Sequence, residues 1–136
     1  MSNKMTFNVV ANRIDAHGST VKCKDASLVI DTDLKGRIDA FNPAELLMSA
    51  LAACIIKGIE RVTPILKFDL QHIEVEITGV RQDAPPKMES IQYTIKITTQ
   101  ESDHRLELLH DNVRKFGTVF NTIAPGTNLT GSLIRA

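Results

Sequence analysis

Two thiols, Cys23 and Cys54, are the side chains in this sequence best suited to covalent chemistry, and four histidines are its remaining metal-binding candidates. His17, His72, His104 and His110 form no HxxxH pair, and no cysteine lies close to them in sequence. Zinc binding, which needs clustered ligands, is therefore not expected. The cysteines have no CxxC spacing and are too few for a disulfide framework, so both are expected as free thiols in a reducing compartment. The sequence holds no G-x-G-x-x-G, no Walker loop and no G-x-S-x-G, which leaves no cofactor to expect.

Cys54 admits two readings. It lies in the apolar run Leu46 to Ile56, where a free cysteine can be no more than a small buried hydrophobe. A reactive cysteine needs thiolate character, which burial opposes and a nearby positive charge favours. Lys57, three residues further on, is its neighbour on a helix surface. Cys23 stands between Lys22 and Lys24 and reads as a strand residue, with a resolving role only if the fold brings it to Cys54.

The element that must position Cys54 is the clearest in the chain. Asn42 is a favourable N-cap, Pro43 suits the first helical position, and Glu45 falls at N3. Together they make a capping box, in which the Glu45 carboxylate reaches back to the Asn42 amide. Apolar residues from Leu46 to Ile56 cover every face, so the helix must be buried on all sides. One small sheet cannot cover it, which predicts an oligomer. Pro64 predicts an end near Val62. Nine residues separate Glu45 from Cys54, about 13.5 Å along the axis and roughly 180° around it. Within one chain the two cannot touch.

Around this helix the pattern predicts strands. Met5 to Val10 reads as one, Ser19 to Lys24 and Ser27 to Asp31 as two shorter ones, and Thr32 to Asp39 as a loop. Ile73, Val75 and Ile77 alternate with polar residues, as do Ile91, Tyr93, Ile95 and Ile97, so each strand has a core face and a wet face. Arg81 to Met88, with Pro85-Pro86, reads as the loop between them. A second helix starts near Ser102 or Asp103 with the stripe Leu106, Leu109, Val113 and Phe116, and Gly117 is placed as a left-handed C-cap. Pro125-Gly126 turns into a last strand, Leu129 to Ile134. The order predicts an α+β fold with a mostly antiparallel sheet.

Acidic and basic residues balance at 16 each in 136 residues. That length fits a single domain over 1–136. Neutrality without a basic cluster argues against nucleic acid and anionic membranes as partners. The apolar run is too short to span a bilayer, and no signal-peptide pattern opens the sequence. A cytoplasmic protein is expected.

The run Asn42-Pro43-Ala44-Glu45-Leu46-Leu47-Met48-Ser49-Ala50-Leu51-Ala52-Ala53-Cys54 resembles the N-P-x-E-L-L-x-x-x-L-x-x-C signature of the OsmC/Ohr family. Weaker likeness runs along the whole chain, through Gly117-Thr118-Val119-Phe120-Asn121-Thr122. The resemblance implies an intertwined homodimer with long, buried central helices packed between shared sheets. It also implies reduction of organic hydroperoxides, fatty-acid hydroperoxides among them, with Cys54 as the attacking thiol. An Arg from the N-terminal strands and a Glu early in the Cys helix assist in such proteins. Arg13 and Glu45 are the matching candidates, Glu45 acting across the dimer and Arg13 pairing with it. The default readings are a capping residue for Glu45 and a solvated surface residue for Arg13.

Two positions depart from the pattern. The family's second, resolving Cys is replaced by Gly117, with Thr118 in place of the Pro that follows it. The Ohr-type Glu directly follows the Pro, whereas this chain has Ala44 there and its acid one place later. An external thiol, or Cys23, would then reduce the Cys54 sulfenic acid. The alternative function is a non-catalytic dimer that holds a hydrophobic small molecule in the cleft around Cys54. Asn121 and Thr122 would line the pocket or form a polar turn.

Overall fold

A computed structural model of the protein describes residues 4–136. Contacts divide the chain into two compact units, Met1–Leu46 and Leu47–Ala136. The elements are α+β, in two three-stranded sheets.

The first unit carries β1 (Val10–Arg13), β2 (Gly18–Cys23) and β3 (Ala26–Asp31), paired antiparallel in that order. The strand expected over Met5 to Val10 is displaced, since pairing starts only at Val10, opposite Lys22. The reason is the length of the partner. Cys23 already faces Ala26 across the turn to β3, so β2 has no residues left to satisfy backbone groups before Val9. Alternation alone supplies no partner. Beyond β3, the Asp31 carboxylate accepts the backbone N–H groups of Asp33 (2.9 Å) and Arg37 (3.0 Å) and gathers the expected loop around itself.

The boundary between the units falls in the first turn of α1 (Pro43–Leu66). The capping box forms as its residue types dictate. The Asn42 amide donates to Glu45 Oε1 at 2.9 Å, and the Glu45 amide donates to Asn42 Oδ1 at 2.8 Å. The helix does not stop near Val62 but runs through Pro64 to Leu66. The proline forfeits the bond to the Glu60 carbonyl, one turn earlier, and other bonds hold the helix end around it. Thr63 Oγ1 donates to the Ile59 carbonyl at 2.6 Å, and the Phe68 amide donates to the Thr63 carbonyl at 2.9 Å. With Lys67 at φ 51°, this is a Schellman-type end, with Lys where Gly is the usual choice.

The second unit continues with β4 (His72–Asp83), β5 (Pro86–Thr98), α2 (Asp103–Phe116), α3 (Thr118–Ile123), one 3-10 turn (Ala124–Gly126) and β6 (Asn128–Arg135). β4 and β5 form a longer hairpin than expected. Arg81 to Asp83 and Pro86 to Met88 belong to the ladder, and only Ala84 and Pro85 remain for the turn. A proline at the first position of a strand costs little, because no ladder donor is lost inside the sheet. β5 is the central strand, antiparallel to β4 and parallel to β6.

Alternation on β5 buries Ile91, Tyr93, Ile95 and Ile97 in one core with Leu51, Ile55, Ile59 and Val62 of α1 and Leu106, Leu109 and Val113 of α2. The opposite strand faces are polar, as period-2 patterning requires. Ser102 caps α2 by accepting the Arg105 amide. Gly117 is not a left-handed cap; its backbone is extended (φ −75°, ψ 120°) and starts α3. Among the described residues no helix is long and apolar enough to cross a membrane.

Candidate functional site

Cys54 lies in the fourth turn of α1, at the seam between a buried and an open face. Leu51, Ile55 and Gly58 on one side are buried. Leu47, Ala50, Ala53, Lys57 and Arg61 on the other are exposed. The half-buried thiol packs against the edge of the core. Both cysteines are free.

What faces Cys54 is the junction between α2 and α3. A Cβ built on Gly117 would stand 3.1 Å from Cys54 Sγ, 3.0 Å from Phe120 Cβ and 3.1 Å from the Val113 carbonyl oxygen. A side chain here would need its neighbours to give by a few tenths of an ångström, because the two segments approach so closely; no positive φ calls for glycine. The separation has a chemical meaning too. In a disulfide, a Cβ lies about 3.0 Å from the far sulfur, as the bond lengths require. A second thiol at 117 would therefore sit within bonding reach of Cys54, and in this chain that place holds no side chain.

The junction is tightly tied. The Asn121 amide donates to the Gly117 carbonyl at 2.9 Å, Asn121 Nδ2 to the Lys115 carbonyl at 3.2 Å, and Thr122 Oγ1 to the Thr118 carbonyl at 2.8 Å. Asn121 and Thr122 thus serve the helix turn. One residue before Gly117, the Phe116 ring carries two cations, with Arg61 Cζ 5.7 Å and Lys115 Nζ 5.3 Å from its centroid. Such contacts are weakly attractive at an exposed site.

Glu45 is held in the capping box at the other end of the same helix. α1 does not bring it to Cys54, since the nine-residue offset sets them about 13.5 Å apart along the axis. Arg13 ends β1 in the first unit and is exposed. It lines a hollow of about 350 Å³ with Asp15, Ser19, Thr32 and Leu34. Cys23 is half-buried at the end of β2, opposite Ala26. Among the described residues no group of His, Cys, Asp and Glu could hold a metal ion.

A polar pair that the motifs did not indicate lies inside the second unit. Tyr93 Oη and His110 Nε2 are 2.6 Å apart, with the rings edge to face. Burial pushes the His110 pKa down and the Tyr93 pKa up, which favours the neutral form of each. The signal was present. His110 falls on the α2 stripe with Leu106, Leu109 and Val113, and Tyr93 on the core face of β5. A polar tip on each apolar face needs a partner. Gly131, opposite Tyr93 on β6, makes room, since a Cβ there would be 2.4 Å from the ring. Beside the pair, a groove of about 370 Å³ runs between α2 and β6.

Comparison with known proteins adds the following. A family model described as OsmC-like protein matches residues 35–131. Among curated proteins, none matches the sequence significantly. The fold is similar to an OsmC-like protein from Mycoplasma pneumoniae (TM-score 0.86, 19% identity, 97% of this chain and 99% of that one covered). It is also similar to an organic hydroperoxide resistance protein from Elizabethkingia anophelis (TM-score 0.78, 13% identity, 100% of each chain covered). A third likeness is to an organic hydroperoxide resistance protein, OsmC, from Legionella pneumophila (TM-score 0.72, 19% identity, 97% of this chain and 98% of that one covered). At these identities the likeness speaks for the fold alone.

Proposed function

Because the chain belongs to the OsmC-like protein family, we propose that it reduces organic hydroperoxides through Cys54 and is returned to the thiol by an external reductant. The observation that carries this reading is the half-buried Cys54 Sγ, packed against Gly117 at the edge of an open helix face. Two proteins of the same fold are named for organic hydroperoxide resistance.

The Cys54 thiolate attacks the outer oxygen of ROOH, the O–O bond breaks, and the alkoxide leaves as ROH after taking a proton. Cys54 becomes a sulfenic acid. An external thiol then attacks that sulfur and expels water, giving a mixed disulfide. A second thiol attacks the mixed disulfide, frees Cys54 and leaves with the first as a disulfide. Gly117 supports the external route, since it has no sulfur to offer where a resolving thiol would have to stand. A cytoplasmic setting supplies such thiols and agrees with both cysteines being free.

The working unit in this reading is a homodimer. Leu47, Ala50 and Ala53 leave apolar surface on α1, and the first unit exposes Phe7, Leu34 and Ile38 as well. A second copy is the natural cover for so much apolar area. It would also let Glu45 and Arg13 of one chain assist the Cys54 of the other, which a single helix forbids to Glu45.

The test treats reduced protein with less than one equivalent of cumene hydroperoxide in the presence of a sulfenic-acid trap. The adduct is then located by peptide mass spectrometry, with Cys54→Ser as control. Rapid labelling at Cys54 is expected. Oxidation no faster than that of free cysteine would overturn the peroxidase reading and favour a ligand-binding dimer.

A further inference from the structure

The open face of α1 changes character at Cys54. Before it stand Leu47, Ala50 and Ala53; after it stand Lys57 and Arg61. Lys57 is about 60° from Cys54 around the axis and about 4.5 Å along it, and Arg61 about 20° and about 10.5 Å. The end of α2 meets this line twice. Gly117 lies against Cys54 Sγ, and Phe116 lies beside the Arg61 guanidinium. Phe116 is 52% exposed, a large ring held in water with Lys115 near it as well.

Charge is out of balance here in a chain with no net charge. Arg114 nearby is paired with Asp111, whereas Lys57, Arg61 and Lys115 make no ion pair among the described residues. Glu60, the acid nearest in sequence, is exposed and three residues from Lys57, about 60° away around the helix. Yet it forms no ion pair with Lys57 or Arg61 and is one acid beside three cations. Unpaired cations beside an exposed aromatic ring suit an anion attached to an apolar body. Both helix cations stand within about 10.5 Å of Cys54 along the axis, where they raise the local concentration of such a molecule.

We propose that Lys57 and Arg61, with the Phe116 ring, bind the carboxylate end of the molecule that reacts at Cys54. The inference rests on Cys54 being the reacting thiol. The carboxylate would lie roughly 5–10 Å from the reacting atom, the spacing set by the helix rise. Two reactants could bring such a carboxylate, the hydroperoxide or the reducing thiol.

The experiment has an arm for each. In the first, reduced protein is mixed with 6-hydroperoxyhexanoic acid or its methyl ester, and the rate of Cys54 sulfenic acid formation is followed. In the second, the sulfenic form is mixed with 6-mercaptohexanoate or its methyl ester, and mixed-disulfide formation is followed. In at least one arm the acid is expected to react about tenfold faster than the ester at low salt, with the preference shrinking as ionic strength rises. The acid-to-ester ratio is expected to fall towards one in a Lys57→Gln, Arg61→Gln double variant and to invert in Arg61→Glu. Ratios that are equal in the parent and the variants in both arms would overturn the proposal while leaving Cys54 reactive. No sulfenic acid from either hydroperoxide would overturn the peroxidase reading, and this inference with it.

Discussion

On β3 of the first unit, Leu28 and Val29 stand 47% and 45% exposed, whereas on β5 of the second unit Ile91, Ile95 and Ile97 are fully buried. Both strands are rich in apolar side chains at strand spacing. The second unit has helices to lay over its sheet, and every buried hydrophobic residue of the described chain belongs to it. In the first unit the residues taken out of water are Gly18, Ser19 and Asp31. A sheet that exposes its apolar residues has gained little of the burial free energy that normally holds a sheet together. The contrast separates a unit with its own core from one that leaves its apolar residues exposed.

The largest expected effect tests that contrast directly. Ile59→Ala should cost about 2–5 kcal/mol, the range for emptying a packed aliphatic site. Val29→Ala should cost under about 1 kcal/mol in dilute protein, where only partial burial is lost. Urea unfolding at two protein concentrations separates the cases. If a second copy covers the first sheet, the cost of Val29→Ala rises with concentration; a small, concentration-independent cost would leave that sheet uncovered.

Within the second unit, Gly117→Cys should form a disulfide with Cys54 on mild oxidation, read as the loss of two of the variant's three free thiols, with Cys23 remaining, and as a slower-unfolding protein. Gly117→Ala should instead cost roughly 1–3 kcal/mol by overpacking. Equal stability of Gly117→Ala and parent would mean that the junction has room to spare.

The buried pair gives the next effect. Tyr93→Phe leaves His110 Nε2 without its partner and should cost about 1–3 kcal/mol. The His110 pKa is lowered in the folded state from an ordinary 6.5. Its neutral form therefore supports folding above that pH, and the support is lost as pH falls below it and the unfolded chain takes the proton. Stability should thus decline on acidification below pH 6.5, and His110→Gln should blunt the decline. Lys67→Gly, at φ 51°, should stabilise by about 0.5–1 kcal/mol, because a Cβ is disfavoured in that conformation.

The smallest effect belongs to the first unit. Its hydrogen bond to Asp33 (2.7 Å) raises the His17 pKa, and the same bond lowers that of Asp33. The contact is intact below 6.5, is lost as pH rises through the raised His17 value, and is lost at the acid end as pH falls through the lowered Asp33 value. An NMR titration should find His17 above 6.5 in the parent and returned towards the ordinary value in Asp33→Asn. Global unfolding should not change, since both groups are at the surface. An unshifted His17 in the parent would remove this contact from the solution structure.

Much of the fold was legible because it is written locally. Asn42, Pro43 and Glu45 specify a helix start by hydrogen bonds within four residues, and that box is present. Alternation on β5 assigned its core face correctly. The misplaced features are those that depend on distant partners. Met5 to Val10 had the right pattern but no neighbouring strand for most of its length. Pro64 was outweighed by a C-terminal cap that Thr63, Lys67 and Phe68 build together. At the site, Cys54 and its helix were legible, as was the place of Gly117 in the pattern.

The sequence by itself determined the helix that carries Cys54, the faces of β4 and β5, and the absence of a thiol at 117, because each follows from short-range spacing and residue type. Only the tertiary structure decided that Gly117 lies against Cys54 Sγ, that Phe116 meets Arg61, and that Tyr93 finds His110. Those contacts join residues that no periodicity relates. They depend on how closely α2 can approach α1 and β5, and side-chain volume and glycine set that distance.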